Sequence, residues 1–506
     1  MNGSTLRLAR PTPSSARALA TAGLALVGIL PAACFDPLIY DPPGGGSDDR
    51  DDRDDRDGTS SGEGTESSDD TGSESSDSSG APPPVCGDGI VEGDEICDDG
   101  VNNGSYAGCA SGCGALGPHC GDGLVNGGEA CDDGDDENGN GCNVDCVVSG
   151  TVLWTVIYDG PDHGVDSGAG VAADGDGNVI VSINSFGSDG QRGGLRKYSP
   201  DGDSLWSTWI TAPYGGTTNG GISATPRNAI VFGGNYNNNE GSRDAWVRSF
   251  SASGEPGWTS THASTQWDLV SGIVGDEDGF IYVAFEESNA PTETGYQTLL
   301  TKYLPNGAEA WTVFHSGDIR ARHIDIDGQG NLVIAGETAT VPNSTWLQKI
   351  DSDGAEIWSR TLGPNDDLSS FVAASSDGQI AVAISPPDSD SRVVRLDPSG
   401  AEIDEIFPSI PGSTHLLLAG TFDNDGALIV GGSSIDGSGA VAWITKYRQD
   451  GSELWSHLHD GTQDTLYSPD RVSSIAADAS GNVLATGTIS EVSSASTDVL
   501  VAKYAP

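Results

Sequence analysis

Positive charge is scarce in this sequence: 23 Lys and Arg stand against 75 Asp and Glu, a formal net charge of -52 over 506 residues. Such a chain repels phosphate backbones and anionic headgroups, which excludes nucleic acid and bare lipid surfaces as partners. Methionine occurs once, and no long stretch keeps a helical apolar period, which argues against a helix bundle. Cysteine is absent after Cys146. The nucleophile elbow, the HExxH helix, the P-loop and a paired catalytic carboxylate motif are also missing. What the chain does have is glycine, 72 residues of it, in Asp/Gly-rich turns between short β-prone runs.

Residues 1–33 read as a secretory signal. Arg7, Arg10 and Arg17 supply the basic start, Ala18 to Leu30 the apolar run, and no acidic residue precedes Asp36. That run is too short to span a bilayer as a helix. The stretch ends Leu30-Pro31-Ala32-Ala33-Cys34. It resembles the lipobox of bacterial lipoproteins, with Pro31 standing where Leu is usual. The resemblance implies a diacylglycerol on Cys34 and a cell-envelope location, outer membrane or cell surface, with secretion as the alternative. Membrane contact would then be through the lipid alone. Residues 34–84 carry this cysteine and an acidic linker with the run Asp48 to Asp57, which buries no face and is expected to be disordered.

Residues 85–149 hold two copies of one unit without a single Lys or Arg between Cys86 and Cys146. The first is built on Cys86, Cys97, Cys109 and Cys113, the second on Cys120, Cys131, Cys142 and Cys146. Ile90, Val91, Ile96, Leu124 and Val125 are too few for a core, so covalent staples must substitute. Two bridges are expected within each unit, and three pairings are open in each. The CGDG and CDDG phrases resemble the tandem cysteine-rich disulfide repeat of myxobacterial surface proteins. Asp98, Asp99, Asp132 and Asp133, with Asp135 and Asp136, read first as turn caps and second as calcium ligands. No cofactor is expected, with calcium at these aspartates as the minor alternative.

From Gly150 onward one phrase recurs seven times. A glycine precedes a tryptophan by four residues at Gly150/Trp154, Gly202/Trp206, Gly254/Trp258, Gly307/Trp311, Gly354/Trp358 and Gly451/Trp455, and Gly400/Asp404 breaks the pattern. The period of about fifty residues is that of a four-stranded propeller blade. Each repeat runs from an Asp/Gly turn such as Asp174, Asp276, Asp327 or Asp423 to a strand ending Lys-Tyr or its equivalent, then a tight turn, then the Trp strand. The fold class is therefore all-β: a seven-bladed β-propeller over 150–506, preceded by the disulfide-stapled module and the disordered linker. The last repeat lacks its fourth strand and residues 151–157 are an orphan strand, so the two are expected to close the ring.

The repeats resemble bacterial β-propeller repeats of surface and secreted proteins and, more distantly, the Trp-docking blades of quinoproteins. The tryptophans are read as packing anchors between blades. Strand alternation puts short turns on one face and longer, varied loops on the other, including Asn184 to Arg192, Asn235 to Arg243 and Glu286 to Gln297. His262, His315 and His459 each follow a blade Trp by four residues on the loop face. The expected role is a monomeric, non-enzymatic binding protein for an extracellular protein or glycan. The alternative is a secreted lyase or hydrolase using loop-face His and carboxylates.

Overall fold

The computed structural model describes residues 84–506 except 162, 188–189, 211–217, 226–228, 239–240, 290–293, 317–318, 339–343, 363–367, 387–390, 409–413, 436–438, 460–469 and 491–495. The signal, Cys34 and the acidic linker up to residue 83 lie outside the described residues. The chain divides into two compact units, one ending at Val148 and one running from Ser149 to Pro506.

In the first unit the core is made of its own cysteines. Cys109, Cys113, Cys142 and Cys146 are buried, while Ile90, Val91, Ile96, Leu124 and Val125 are each more than half exposed. The bridges are Cys86–Cys113 and Cys97–Cys109 in the first repeat, and Cys120–Cys146 and Cys131–Cys142 in the second. Both repeats use the same nested pairing, each bridge stabilising by about 3 kcal/mol in the chain-entropy picture. The CDDG carboxylates cap backbone. Asp98 accepts from the Gly87, Asp88 and Gly100 N–H groups. Partial burial works to raise its pKa, and the Gly100, Gly87 and Gly89 N–H groups with the Asn102 amide hold it down at about 2. Asp99 and its counterpart Asp133 accept from the N–H of Cys109 and Cys142, and Asp132 accepts from Asp122, Gly123 and Gly134. A non-reduced proteolytic digest is expected to release these four cystine pairs; a peptide joining Cys86 to Cys97 would overturn the nested connectivity.

The second unit is a seven-bladed propeller of four-stranded antiparallel sheets. The first blade comprises Val165–Ala173, Val179–Gly187, Gly190–Tyr198 and Ser204–Trp209, in that order from the axis outward. The innermost strands of the other blades are Thr218–Ala224, Trp267–Gly275, Ile319–Ile326, Leu368–Ala374, Thr414–Phe422 and Arg471–Ala477. Each packs against the innermost strands before and after it, closing a ring. The seventh blade is completed from the other end of the chain: Val152–Tyr158 pairs antiparallel with Thr497–Tyr504.

Burial explains the composition of each strand. Second strands such as Ile281–Asn289 and Val483–Ser490 are buried along nearly their whole length, because neighbouring blades cover both faces, and they begin as unbroken apolar runs rather than alternating ones. Outer strands alternate exposed and half-buried positions, as in Val152–Tyr158 and Pro256–His262. The apolar core is divided into seven clusters, one in each cleft between neighbouring blades.

The recurring Gly-x-x-x-Trp phrase is the joint between blades. The indole N–H of Trp206 donates to Ala252 O in the next blade at 2.9 Å, and that of Trp154 to Pro200 O at 2.8 Å. The ring lies on the next blade's glycine. At Gly307, with φ of +83°, a Cβ would come 2.5 Å from the Trp258 ring. Any side chain there meets both the left-handed backbone and the indole. The joint runs through the chain ends too, because Gly150 lies against Trp455 and its carbonyl meets His457 Nε2 at 2.6 Å.

A lysine secures the same joint. Lys197, Lys349, Lys446 and Lys503 sit directly across from the Trp strand and pair with Asp174, Asp327, Asp423 and Asp478 at 2.6–3.0 Å, all buried. The second oxygen of each Asp caps its own turn, as Asp423 Oδ1 does for the N–H of Asp425 and Ala427. Lys197 also donates to Ala252 O, the acceptor already used by Trp206. The fifth blade solves the problem differently. Ser375 replaces the turn Asp, Arg395 the Lys and Asp404 the Trp, and Arg395 forms a two-pronged pair with Asp404 at 2.7 and 2.5 Å. Its other arm reaches Gln449 O of the next blade at 2.6 Å, standing in for the indole.

Candidate functional site

The turn face repeats one Asp–Lys arrangement in four of the seven blades, whereas the loop face has no such recurring set among the described residues. There the hairpins between second and third strands reach further than the sequence suggests: the first blade keeps its ladder to Gly187 and Gly190, leaving two residues between. Polar side chains at these strand ends differ from blade to blade. In the fourth blade Arg320 pairs with Glu286 of the third at 2.7 Å, and Arg322 with Glu337 at 2.6 Å. The Arg320 guanidinium lies 4.7 Å from the Tyr296 ring, and that of Arg243 4.6 Å from the Trp267 ring. Arg243 and Trp267 also form the single parallel bridge joining the second and third blades.

The densest chemistry lies in that same cleft. His262 ends the outer strand of the second blade, Asp268 is the second residue of Trp267–Gly275, and Glu287 sits near the end of Ile281–Asn289. Asp268 and Glu287 are direct cross-strand partners, so both carboxylates project from one face of the sheet. His262 closes over them, its Nε2 2.7 Å from Glu287 Oε1 and its ring centroid 5.1 Å from that of Phe285. Asp268 is wholly buried and accepts from the Ser264 N–H at 2.6 Å and the Ser264 hydroxyl at 2.7 Å. Burial pushes its carboxyl up, the Ser264 hydrogen bonds and His262 oppose that, and Glu287 adds to it.

The three loop-face histidines do not converge. His315 packs on Trp346 of the fourth blade, and burial lowers its pKa. His459 meets the Tyr504 hydroxyl and is lowered by the same cause. Four-residue spacing from Trp aims each at the following blade rather than at a common rim. Sequence reading passed over Asp268 and Glu287 because their juxtaposition depends on cross-strand register. The Asp–Lys pairs were only partly legible: the blades lacking the turn Asp, with Thr225 and Ser375, also lack the Lys, but the third blade has Asp276 and Lys302 and there Asp276 accepts from the Tyr282 hydroxyl instead.

One buried pair in the fourth blade's innermost strand has consequences for pH. His323 is 5 % exposed, and burial with neighbouring Arg322 drives its pKa down to about 3. A histidine held neutral contributes stability that is full above its ordinary value of 6.5 and is lost as pH falls toward 3. Asp325 acts in the opposite sense. Burial pushes its carboxyl up to about 7 against the Ala374 and Ile326 N–H donors, so its contribution is full below 3.8 and is lost as pH rises through 7. Replacing His323→Gln is expected to make the melting temperature fall less between pH 6 and pH 4 than in the parent chain. Equal acid sensitivity of the two proteins would contradict a neutral His323.

No family model and no curated protein matches the chain. Among solved structures, the β-propeller domain of the trilobed protease from Pyrococcus furiosus is 9% identical over 67% of this chain and 97% of its own, with a TM-score of 0.41. A protein of unknown function from Bacteroides caccae is 14% identical over 52% of this chain and 89% of its own, with a TM-score of 0.36. A gluconolactonase from Xanthomonas campestris is 14% identical over 70% and 89%, with a TM-score of 0.32. Enzymes and proteins of unknown function both stand among these neighbours, and the likeness concerns the fold alone.

Proposed function

We propose that the chain is an envelope-anchored or secreted, non-enzymatic binding protein that recognises an extracellular protein or glycan with the loop face of its propeller. The contrast between the two faces carries this reading. The turn face uses the same Asp–Lys joint in four of its seven blades, whereas the loop face presents a different charged set from blade to blade. Varied groups on a rigid ring are the usual basis of recognition. Arg243 over Trp267 and Arg320 over Tyr296 offer cation–aromatic platforms suited to sugars or peptides.

The test is binding of the full chain to a glycan array and to a panel of envelope-protein peptides. Arg243→Ala and Trp267→Ala should weaken the strongest signal about tenfold or more, the effect of losing one well-packed contact. Asp201→Asn, on the turn face, should leave it unchanged. Loss through Asp201→Asn with the loop-face variants unaffected would reject the assignment. Lipidation of Cys34 is part of the proposal: Cys34→Ser should release the protein from membranes into the medium, and equal membrane association of both forms would reject the anchor.

A lyase or hydrolase is the second reading, carried by His262 beside Glu287 and Asp268. Polysaccharide or ester turnover that vanishes in His262→Gln would replace the binding reading.

A further inference from the structure

We infer that His262, Asp268 and Glu287 form a site for one divalent transition-metal ion in the cleft between the second and third blades. One donor atom from each residue lies within 4.8 Å of the others. Two donors on one metal at ~2.1 Å are at most ~4.2 Å apart. The set must therefore close only slightly, and His262, half-buried at the end of an edge strand, can supply that movement.

Three further features point to a cation. Asp268 and Glu287 are directly opposite one another in the ladder, an arrangement that destabilises a sheet when both are charged. Asp268 is fully buried and, among the described residues, has no lysine or arginine paired to it, unlike the buried Asp174, Asp327, Asp423 and Asp478, which have Lys197, Lys349, Lys446 and Lys503. The ligands are also held from behind: Ser264 fixes Asp268 with two hydrogen bonds, and Phe285 flanks the imidazole. Such outer contacts orient the ligands of metal sites.

The donor set decides the class of ion. One imidazole with two carboxylates suits Zn²⁺, Mn²⁺ or Fe²⁺, whereas Ca²⁺ takes six to eight oxygens. His262 would ligate through Nε2 as the neutral ring protonated at Nδ1, so the proton between Nε2 and Glu287 Oε1 would move to Nδ1 or, from a charged imidazolium, leave to solvent. Three protein ligands leave coordination positions open to water or to a ligand of the loop face. The inference does not depend on what that face recognises.

The experiment is a titration of the EDTA-stripped full chain with Zn²⁺ and with Co²⁺, at a salt concentration high enough to screen the acidic linker. One saturable site per chain is expected, with a visible d–d band for Co²⁺ and a rise in melting temperature on metal addition. His262→Gln and Glu287→Gln should each weaken binding about tenfold or more and alter the Co²⁺ band, the scale seen when metal-site residues are lost. His315→Gln should change nothing. These two ligands are only partly buried, so their variants keep the test open if Asp268→Asn fails to fold. Absence of a saturable site in the parent chain would overturn the inference. So would folded His262→Gln and Glu287→Gln proteins that bind like the parent.

Discussion

Deleting residues 150–158 is expected to lower the melting temperature of the protein by about 10 °C, a loss on the order of 5 kcal/mol or more. The strand Val152–Tyr158 is the outer strand of the seventh blade, paired with Thr497–Tyr504 from Val152 opposite Tyr504 to Tyr158 opposite Val499. Trp154, Val156 and Tyr158 pack onto the cluster between the seventh and first blades. Trp154 also donates to Pro200 O in the first blade, and Gly150 receives Trp455 from the sixth. The deletion therefore breaks two of the seven joints and leaves Thr497–Tyr504 as a free edge, an invitation to pair with other chains. Calorimetry of the full chain against the deletion checks this. An unchanged melting curve would mean that the ring does not depend on this closure.

Replacing Lys446→Met should destabilise the protein by about 3–5 kcal/mol, the cost of leaving one member of a buried ion pair alone. Lys446 and Asp423 are 2.8 Å apart and almost wholly enclosed. The substitution keeps most of the unbranched stem but strands the Asp423 carboxylate, whose other oxygen remains committed to the Asp425 and Ala427 N–H groups. The double variant Asp423→Asn/Lys446→Met should recover a large part of the loss, since the amide oxygen can still cap the turn and no charge is left buried. The second blade already lives with a neutral version of the same corner, having Thr225 and Ser249 at these positions. Denaturant unfolding of the three proteins measures the cycle. A single variant within ~0.5 kcal/mol of the parent would place the lysine among ordinary surface residues.

Both effects concern joints between blades, and the joints are where sequence and structure divide. The architecture was written in local signals: the glycine-to-tryptophan step marks six of the seven blades, the alternation of strands and turns gives four strands each, and the missing terminal strand foretells the closure by Val152–Tyr158. The need for disulfides was equally local, because a segment with so few, scattered aliphatics has no other core. Sequence also exposed the exception at Asp404, though not its reason. Only packing shows that Arg395 and Asp404 together replace a lysine, a turn aspartate and an indole.

What the tertiary structure decided was pairing. Each repeat of four cysteines admits three connectivities, and the nested one emerged from how the chain folds back. The histidines shared a sequence position but not a site, because each faces its own next blade. Asp268 and Glu287 carried no motif at all. Their meeting with His262 depends on a cross-strand register within one blade and on a cleft between two, and both join residues on different strands that no local spacing pattern links. A repeat fixes the conformation of its own fifty residues through short-range propensity and alternation. Contacts between repeats are set by side-chain packing across a gap, so the chemistry in the clefts becomes definite only once the ring has closed.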